Sequence, residues 1–309
     1  MTAGDATIAD AEALARWGVQ PSGVKPRRFS PARLGVYAFL VISAAFFLIP
    51  LYVMVVTSLK EMPEIRLGNL FGLPQKITFQ PWVDAWLNAC TGRDCTGLHP
   101  GFLNSVKITV PSVLISIVIG SINGYALSFW RYKGANIFFG LLVFGAFVPY
   151  QVVIYPLIIA ARSAGLFSTL AAIIIVHTIF GMPILTLLFR NYYASLPIEL
   201  FKAGRVDGAG FWRIFIYIML PMSVPVTTVA VILQVTGIWN DFLFGIIFAG
   251  RSNWPMTVQL NNIVQTTTGT RLYNVNMAAT ILTAAVPLII YFVSGRWFVR
   301  GIAAGAVKG

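Results

Sequence analysis

Six apolar runs, each near the roughly 20 residues that cross a bilayer core, constrain this chain more than any other feature. They cover about 34–58, 104–130, 135–160, 168–188, 216–248 and 277–298. Inside hydrocarbon a backbone must satisfy its own hydrogen bonds, and a helix does so within one segment. The expectation is an all-α polytopic membrane protein with about six transmembrane helices. Pro221 and Pro225 are expected to bend the fifth run near its inner end. Composition agrees: the chain is 57% hydrophobic and 10% charged, where a soluble domain carries about a quarter charged residues.

The net charge of +12 suggests nucleic acid at first sight. The basic residues form no stripe or aromatic-rich arm, so no nucleic-acid partner is expected. They sit in short loops, as the positive-inside rule requires. Fourteen of the 22 fall on one side, including Lys25, Arg27, Arg28, Arg131, Lys133, Arg190 and Arg213. Both termini are then cytoplasmic. The first run is too long for a cleavable signal peptide, and residues 8–17 suit a short amphipathic helix. The chain divides into a cytoplasmic segment (1–33), a first span with a long outer loop (34–103) and a core of five spans (104–309). Cys90 and Cys95 flank a Thr-Gly-Arg-Asp turn in that outer loop. They can form a small disulfide in an exported loop, or stay as two thiols.

Between the fourth and fifth runs lies a polar island, 195–225, which the charge pattern places in the cytoplasm. Ser195 is expected to cap a helix and Pro197 to fill its first turn. On that helix, about 195–210, Leu200, Ala203, Gly204, Asp207 and Gly208 fall at i, i+3, i+4, i+7 and i+8 and share a face. Most of the face is small, so another protein's surface can approach the helix backbone. Gly208 is a place to stop or turn.

This stretch resembles the EAA loop of ABC-importer permeases. Ala203, Asp207, Gly208, Ala209, Phe215, Leu220, Pro221 and Pro225 match the family pattern. Lys202 stands where the family usually has Glu, and Gly204 where it has a second Ala; Glu199 offers a carboxylate one turn earlier. Asn104-Ser105, Gly181-Met182-Pro183 and Trp239-Asn240-Asp241 resemble the carbohydrate branch, the permeases of maltose-transporter type. The resemblance implies a type I ABC-importer permease in a bacterial inner membrane. It implies a coupling helix carrying Glu199, Lys202, Ala203, Gly204, Asp207, Gly208 and Ala209, with Pro221 beyond it. The implied partners are a second homologous permease, two ATPase subunits that bind ATP and Mg, a periplasmic solute-binding protein and membrane lipid. By position between the fifth and sixth runs, Asn253, Trp254 and Thr257 are candidate contacts to the binding protein.

Nothing in the sequence supports catalysis by this chain. It has two histidines, no Gly-Lys-Ser/Thr loop and no metal-ligand cluster, so neither cofactor nor metal is expected on it. Polar residues within spans are expensive and often functional. Tyr150, Gln151, His177, Gln234, Trp239, Asn240 and Asp241 are therefore candidates for the translocation pathway. Amides and carboxylates can bond sugar hydroxyls, and an indole can stack on a sugar ring. Equally, Asn240 and Asp241 can pair with other helices or with Arg251, and His177 with a neighbouring helix. Gly120, Gly124 and Gly140 read as close-packing points between helices. The function expected is import of a mono- or small oligosaccharide by alternating access. The alternatives are an ABC permease for a non-sugar solute and an ATP-independent carrier. A proton-coupled carrier usually buries charged pairs in its spans, and Asp241 stands nearly alone.

Overall fold

The computed structural model describes residues 31–91, 94–130, 132–265 and 270–306. The helix expected at 8–17, together with Arg131 and the extreme C-terminus, lies outside them. Four single helices are long and apolar enough to cross a membrane: α1 (Pro31–Ser58), α2 (His99–Phe129), α5 (Leu170–Ser195) and α11 (Tyr273–Ala306). Two bent pairs meet the same criterion: α3 (Ala135–Phe147) with α4 (Tyr150–Ser163), and α7 (Phe211–Met222) with α8 (Val224–Trp239). Counting each pair as one span gives six. Between α5 and α7 stands the short α6 (Ile198–Val206); α9 (Leu243–Phe248) and α10 (Met256–Gln265) separate α8 from α11. Residues to Tyr52 form one unit and those from Val53 a second, which carries everything described below.

In the second unit, α2 and α5 make the most extensive helix contact. Its cause is the absence of side chains. A Cβ built on Gly120 would lie 2.6 Å from the Leu185 Cβ, and one on Gly124 2.6 Å from the Phe189 Cβ and 2.7 Å from the Arg190 backbone nitrogen. Without a hydrophobic drive between spans, such close approach lets dispersion and polar contacts hold helices together. Ser128 Oγ donates to the Arg190 carbonyl at 3.1 Å, and Ser121 Oγ meets the Tyr193 hydroxyl at 3.2 Å. Gly140, expected to act likewise, has nothing within 4 Å of its Cβ position; in this chain it is not a packing point.

Two expected spans are not continuous. The run 135–160 breaks at Val148-Pro149, and its halves meet at 105°. Pro149 lacks an N–H and its ring disfavours a helical residue before it. Val148 is accordingly extended, at φ −69° and ψ 123°. The run 216–248 bends by 76° at Ser223, between Pro221 and Pro225 as expected, and a π turn occupies Phe215–Met219 just before the bend. The helix then ends at Trp239 instead of continuing to 248, and restarts as α9. Ser195 is the last residue of α5; its Oγ donates back to the Tyr192 carbonyl at 2.7 Å. Pro197, not Ser195, occupies the N-cap position of α6, and its ring makes no side-chain cap hydrogen bond.

The long loop between α1 and α2 is folded. It carries short helices at Met62–Arg66 and Gln80–Val83, a π turn at Asp84–Asn88, and a hairpin of β1 (Cys90–Thr91) and β2 (Asp94–Cys95). A disulfide joins Cys90 to Cys95. Buried Lys60 donates from Nζ to the Asn69 carbonyl at 2.8 Å, while its own carbonyl accepts from Asn274 Nδ2 at 3.0 Å. The loop is thereby tied to the start of α11. A disulfide closing so small a loop contributes about 2 kcal/mol by restricting the unfolded chain. Replacing both cysteines with serine should lower the melting temperature of the detergent-purified protein by a few degrees, and an unchanged melt would show the hairpin to be held by other contacts.

Candidate functional site

The polar island forms a short helix clamped on one side. Phe201 stacks on Phe129 with ring centroids 5.0 Å apart and meets Trp130 edge-on at 5.7 Å. The Arg205 guanidinium lies 4.9 Å from the Trp130 ring centroid. Gly204 is buried, its Cβ position 3.1 Å from the Ile218 Cδ1 and 3.3 Å from the Ile214 Cγ1. Gly204 was expected on the free face with Ala203 and Asp207; it faces the protein body instead. The free face lies one residue over: Glu199, Lys202, Ala203, Val206 and Asp207 are all exposed, again at i, i+3, i+4, i+7 and i+8. Val206 stands 86% exposed amid this charged surround.

The end of this helix is rigid. The Ala209 N–H donates to the Gly204 carbonyl at 2.9 Å and the Gly208 N–H to the Arg205 carbonyl at 3.1 Å. Together these make a Schellman stop, and it needs Gly208 at φ +74°, where a Cβ would strain the backbone. Pro221 sits at the bend before α8, outside α6.

Of the pathway candidates, three meet around Phe244, a residue the sequence did not single out. Its ring lies 5.7 Å from Tyr150, 5.6 Å from His177 and, stacked, 5.0 Å from Phe180. Asp241 caps α9: its Oδ1 accepts the Phe244 N–H at 3.2 Å and its Oδ2 the Gly245 N–H at 2.9 Å. Oδ2 also lies 3.7 Å from His177 Nε2, a buried nitrogen without a hydrogen-bond partner among the described residues. Asp241 is thus a helix cap at a chain break, not a carboxylate in mid-helix. Its position three residues before Phe244 is the signal that could have revealed both. Asp241→Ala should cost about 1–2 kcal/mol through the lost cap, read as a lower melting temperature, while Asp241→Asn should keep most of it.

The other candidates go elsewhere. Gln234 is buried, with its carboxamide nitrogen 2.7 Å from the Cβ position of Gly181, so it fills the α5–α8 crossing. Trp239 is 2% exposed; its Nε1 donates to the Thr283 carbonyl at 3.0 Å and its ring meets Phe102 at 5.7 Å. Its indole ties α8 to α11 and α2 and offers no open face for the stacking expected of it. Asn240 and Gln151 are exposed.

The loop after α9 is anchored from below. Asn104 Nδ2 donates to the carbonyls of Ser252 and Trp254 at 3.0 and 3.2 Å, and Ser105 Oγ accepts the Met256 N–H at 2.9 Å. Thr257 Oγ1 donates to the Asp241 carbonyl and Asn253 Nδ2 to the Ala249 carbonyl. Arg251 pairs with Asp94 of the disulfide hairpin at 3.0 Å, not with Asp241. Of the three residues expected to contact a binding protein, Asn253 and Thr257 thus use their polar groups internally, and Trp254 packs against the core.

The family model described as "Binding-protein-dependent transport system inner membrane component" matches residues 112–304. A probable ABC transporter permease protein of Pyrococcus horikoshii is 34% identical over 285 residues, covering 92% of this chain and 100% of the relative. The xylose/arabinose import permease protein XacI of Haloferax volcanii is 31% identical over 292 residues, covering 87% and 92%. Among solved structures, a chain of a bacterial ABC transporter involved in the import of the acidic polysaccharide alginate superposes with a TM-score of 0.72 at 21% identity, covering 87% of this chain and 99% of that one.

Proposed function

Because the chain belongs to the family of binding-protein-dependent transport system inner membrane components, we propose that it is a permease subunit of an ATP-driven sugar importer. A relative named for xylose/arabinose import, and a structural neighbour from an alginate importer, support a carbohydrate solute. The observation that carries the ATP-driven part is α6: a stiff, clamped helix that presents Glu199, Lys202, Ala203, Val206 and Asp207 to the outside of the subunit. An ATPase chain gripping that face would bind and hydrolyse ATP with Mg, because this sequence has no phosphate-binding loop of its own.

The disulfide supports a sidedness. Disulfides persist in oxidising compartments, so the hairpin at Cys90 belongs outside. From there the chain crosses with α2, with the α3–α4 pair and with α5 before reaching α6. With each bent pair taken as one span, three crossings would bring α6 to the cytoplasm, which the loop charges support, with both termini on that side as well. Motion of the ATPases would then tilt α6 as a unit, and the bend and π turn of α7 would pass the tilt into α8. A second permease chain would complete the pathway, and alternating access would arise as the halves rock against each other. A binding protein would deliver the solute outside.

The test is purification from native membranes followed by uptake in reconstituted vesicles with a panel of sugars, polyols and amino acids. The expected result is a co-purifying ATPase and ATP-dependent uptake of a sugar. Uptake without ATP, or uptake confined to amino acids, would overturn the reading.

A further inference from the structure

The outer loop encloses a cavity of about 310 Å³ between the π turn at Asp84–Asn88 and the start of α11. That is the lower end of the range for small-molecule sites. Four of its lining residues have hydrogen-bonding capacity not taken up among the described residues. Asp84 Oδ1 accepts from Gln80 Nε2 at 3.0 Å and from Asn88 Nδ2 at 2.9 Å, which leaves Oδ2 for a ligand. Arg271, Thr270 and Asn276, whose side chains carry a guanidinium, a hydroxyl and a carboxamide, also line the cavity. Asp84 and Arg271 form no ion pair with each other. Buried Ile263 and Val275 supply an apolar wall.

From this arrangement we propose that the cavity is an outer subsite for a neutral polyhydroxyl solute, occupied before the solute enters the pathway between the spans. The inference rests on the sugar-import reading and adds a location to it. A carboxylate accepts hydrogen bonds from adjacent hydroxyls, and the guanidinium and amides donate to ring and hydroxyl oxygens. The C–H face of a sugar ring lies against Ile263 and Val275. Both charge signs line the site, so a solute of one net charge meets an unfavourable partner as well as a favourable one; a neutral polyhydroxyl solute bonds to both, and the alanine arm of the test below separates it from a zwitterion. The Cys90 end of the disulfide hairpin also borders the cavity, which fixes that side of its rim.

The experiment uses the assembled transporter in vesicles, without binding protein or ATP. Leu272→Cys places a thiol on the cavity wall, and the native cysteines are already paired. Labelling by a membrane-impermeant maleimide from outside is followed with maltose, xylose or alanine present. Maltose or xylose should slow labelling severalfold, and alanine should not. Adding Arg271→Gln or Asp84→Asn should remove that protection. In the intact system either substitution should raise the KM for uptake about tenfold, the effect of one lost charge-assisted hydrogen bond, with kcat unchanged. Arg271→Gln, at an exposed position, keeps the test open if Asp84→Asn disturbs the π turn. Sugar uptake with labelling unmoved by any sugar, or protection by alanine alone, overturns the subsite while import stands. Absence of uptake for every sugar, with labelling also unmoved, overturns both.

Discussion

Val206→Asp should abolish ATP-driven uptake while leaving the protein inserted at normal levels. Val206 is the most exposed apolar residue of α6, at 86%. It stands on the face formed with Glu199, Lys202, Ala203 and Asp207, and no side of that face rests on the subunit's own core. An exposed apolar centre with a charged rim is the anatomy of a docking surface. Burying a carboxylate there against a partner costs the desolvation of an unpaired charge, about 2 kcal/mol or more at a central interface position, and weakens docking roughly thirtyfold. Within the isolated subunit the change is mild: a new negative charge in the last turn of a helix costs about 0.3–1 kcal/mol. Two measurements separate the effects. Membrane abundance should match the parent, and ATPase recovered with the permease should fall steeply. Full recovery of the ATPase with Val206→Asp would remove α6 from the coupling interface. Gly204→Ala is the informative contrast, because it disturbs the buried side of the same helix and should act on stability instead.

Gly124→Ala should damage the α2–α5 contact more than the same change at Gly120. The new Cβ would sit 2.6 Å from the Phe189 Cβ, 2.7 Å from the Arg190 nitrogen and 2.9 Å from the Phe189 carbonyl carbon. Two of these are backbone atoms, so no rotamer change relieves the clash, and α2 and α5 must separate. Overpacking of this kind costs about 3 kcal/mol. It also lengthens the Ser128–Arg190 and Ser121–Tyr193 hydrogen bonds that cross the same contact. A large fall in melting temperature and in yield from membranes is expected, with Gly140→Ala, which meets nothing within 4 Å, behaving as the parent. A normal melt for Gly124→Ala would mean that α2 and α5 are not held at this distance.

Hydropathy made the spans legible, because length and apolarity alone decide whether a helix can cross a bilayer. The type I permease fold expected from the polar island is the one shared with the alginate-importer chain. Chain direction was less legible. Pro111, Pro183 and Pro287 lie inside helices that run straight through, whereas Pro149 breaks its run completely. A hydropathy window scores all four alike. What differs is whether the preceding residue can stay helical against its neighbours, and that is a tertiary matter. On α6 the 3.6-residue period revealed that faces exist, but not which one turns inward. Ile214 and Ile218, ten or more residues later, decide that by lying against Gly204. Asp241 was visible as an unusual carboxylate, yet its work as a cap depended on a helix break that the apolar run 216–248 hid. Asn104 and Ser105 were recognised only by resemblance; their task, holding the Ser252–Met256 backbone, needs contacts about 150 residues away in sequence.

The bridge between Cys90 and Cys95 sets an order of events during biogenesis. Cytoplasmic thiols stay reduced, so on the sidedness proposed above the hairpin is stapled only once translocation has carried it across the bilayer. Asp94, held by that staple, is the counter-charge for Arg251, which is made about 150 residues later. On the proposed sidedness, the staple that positions Asp94 forms before Arg251 arrives to meet it, and a host deficient in thiol oxidation would deliver a protein whose loop is held to the rest by the Lys60 and Asn274 contacts without the staple.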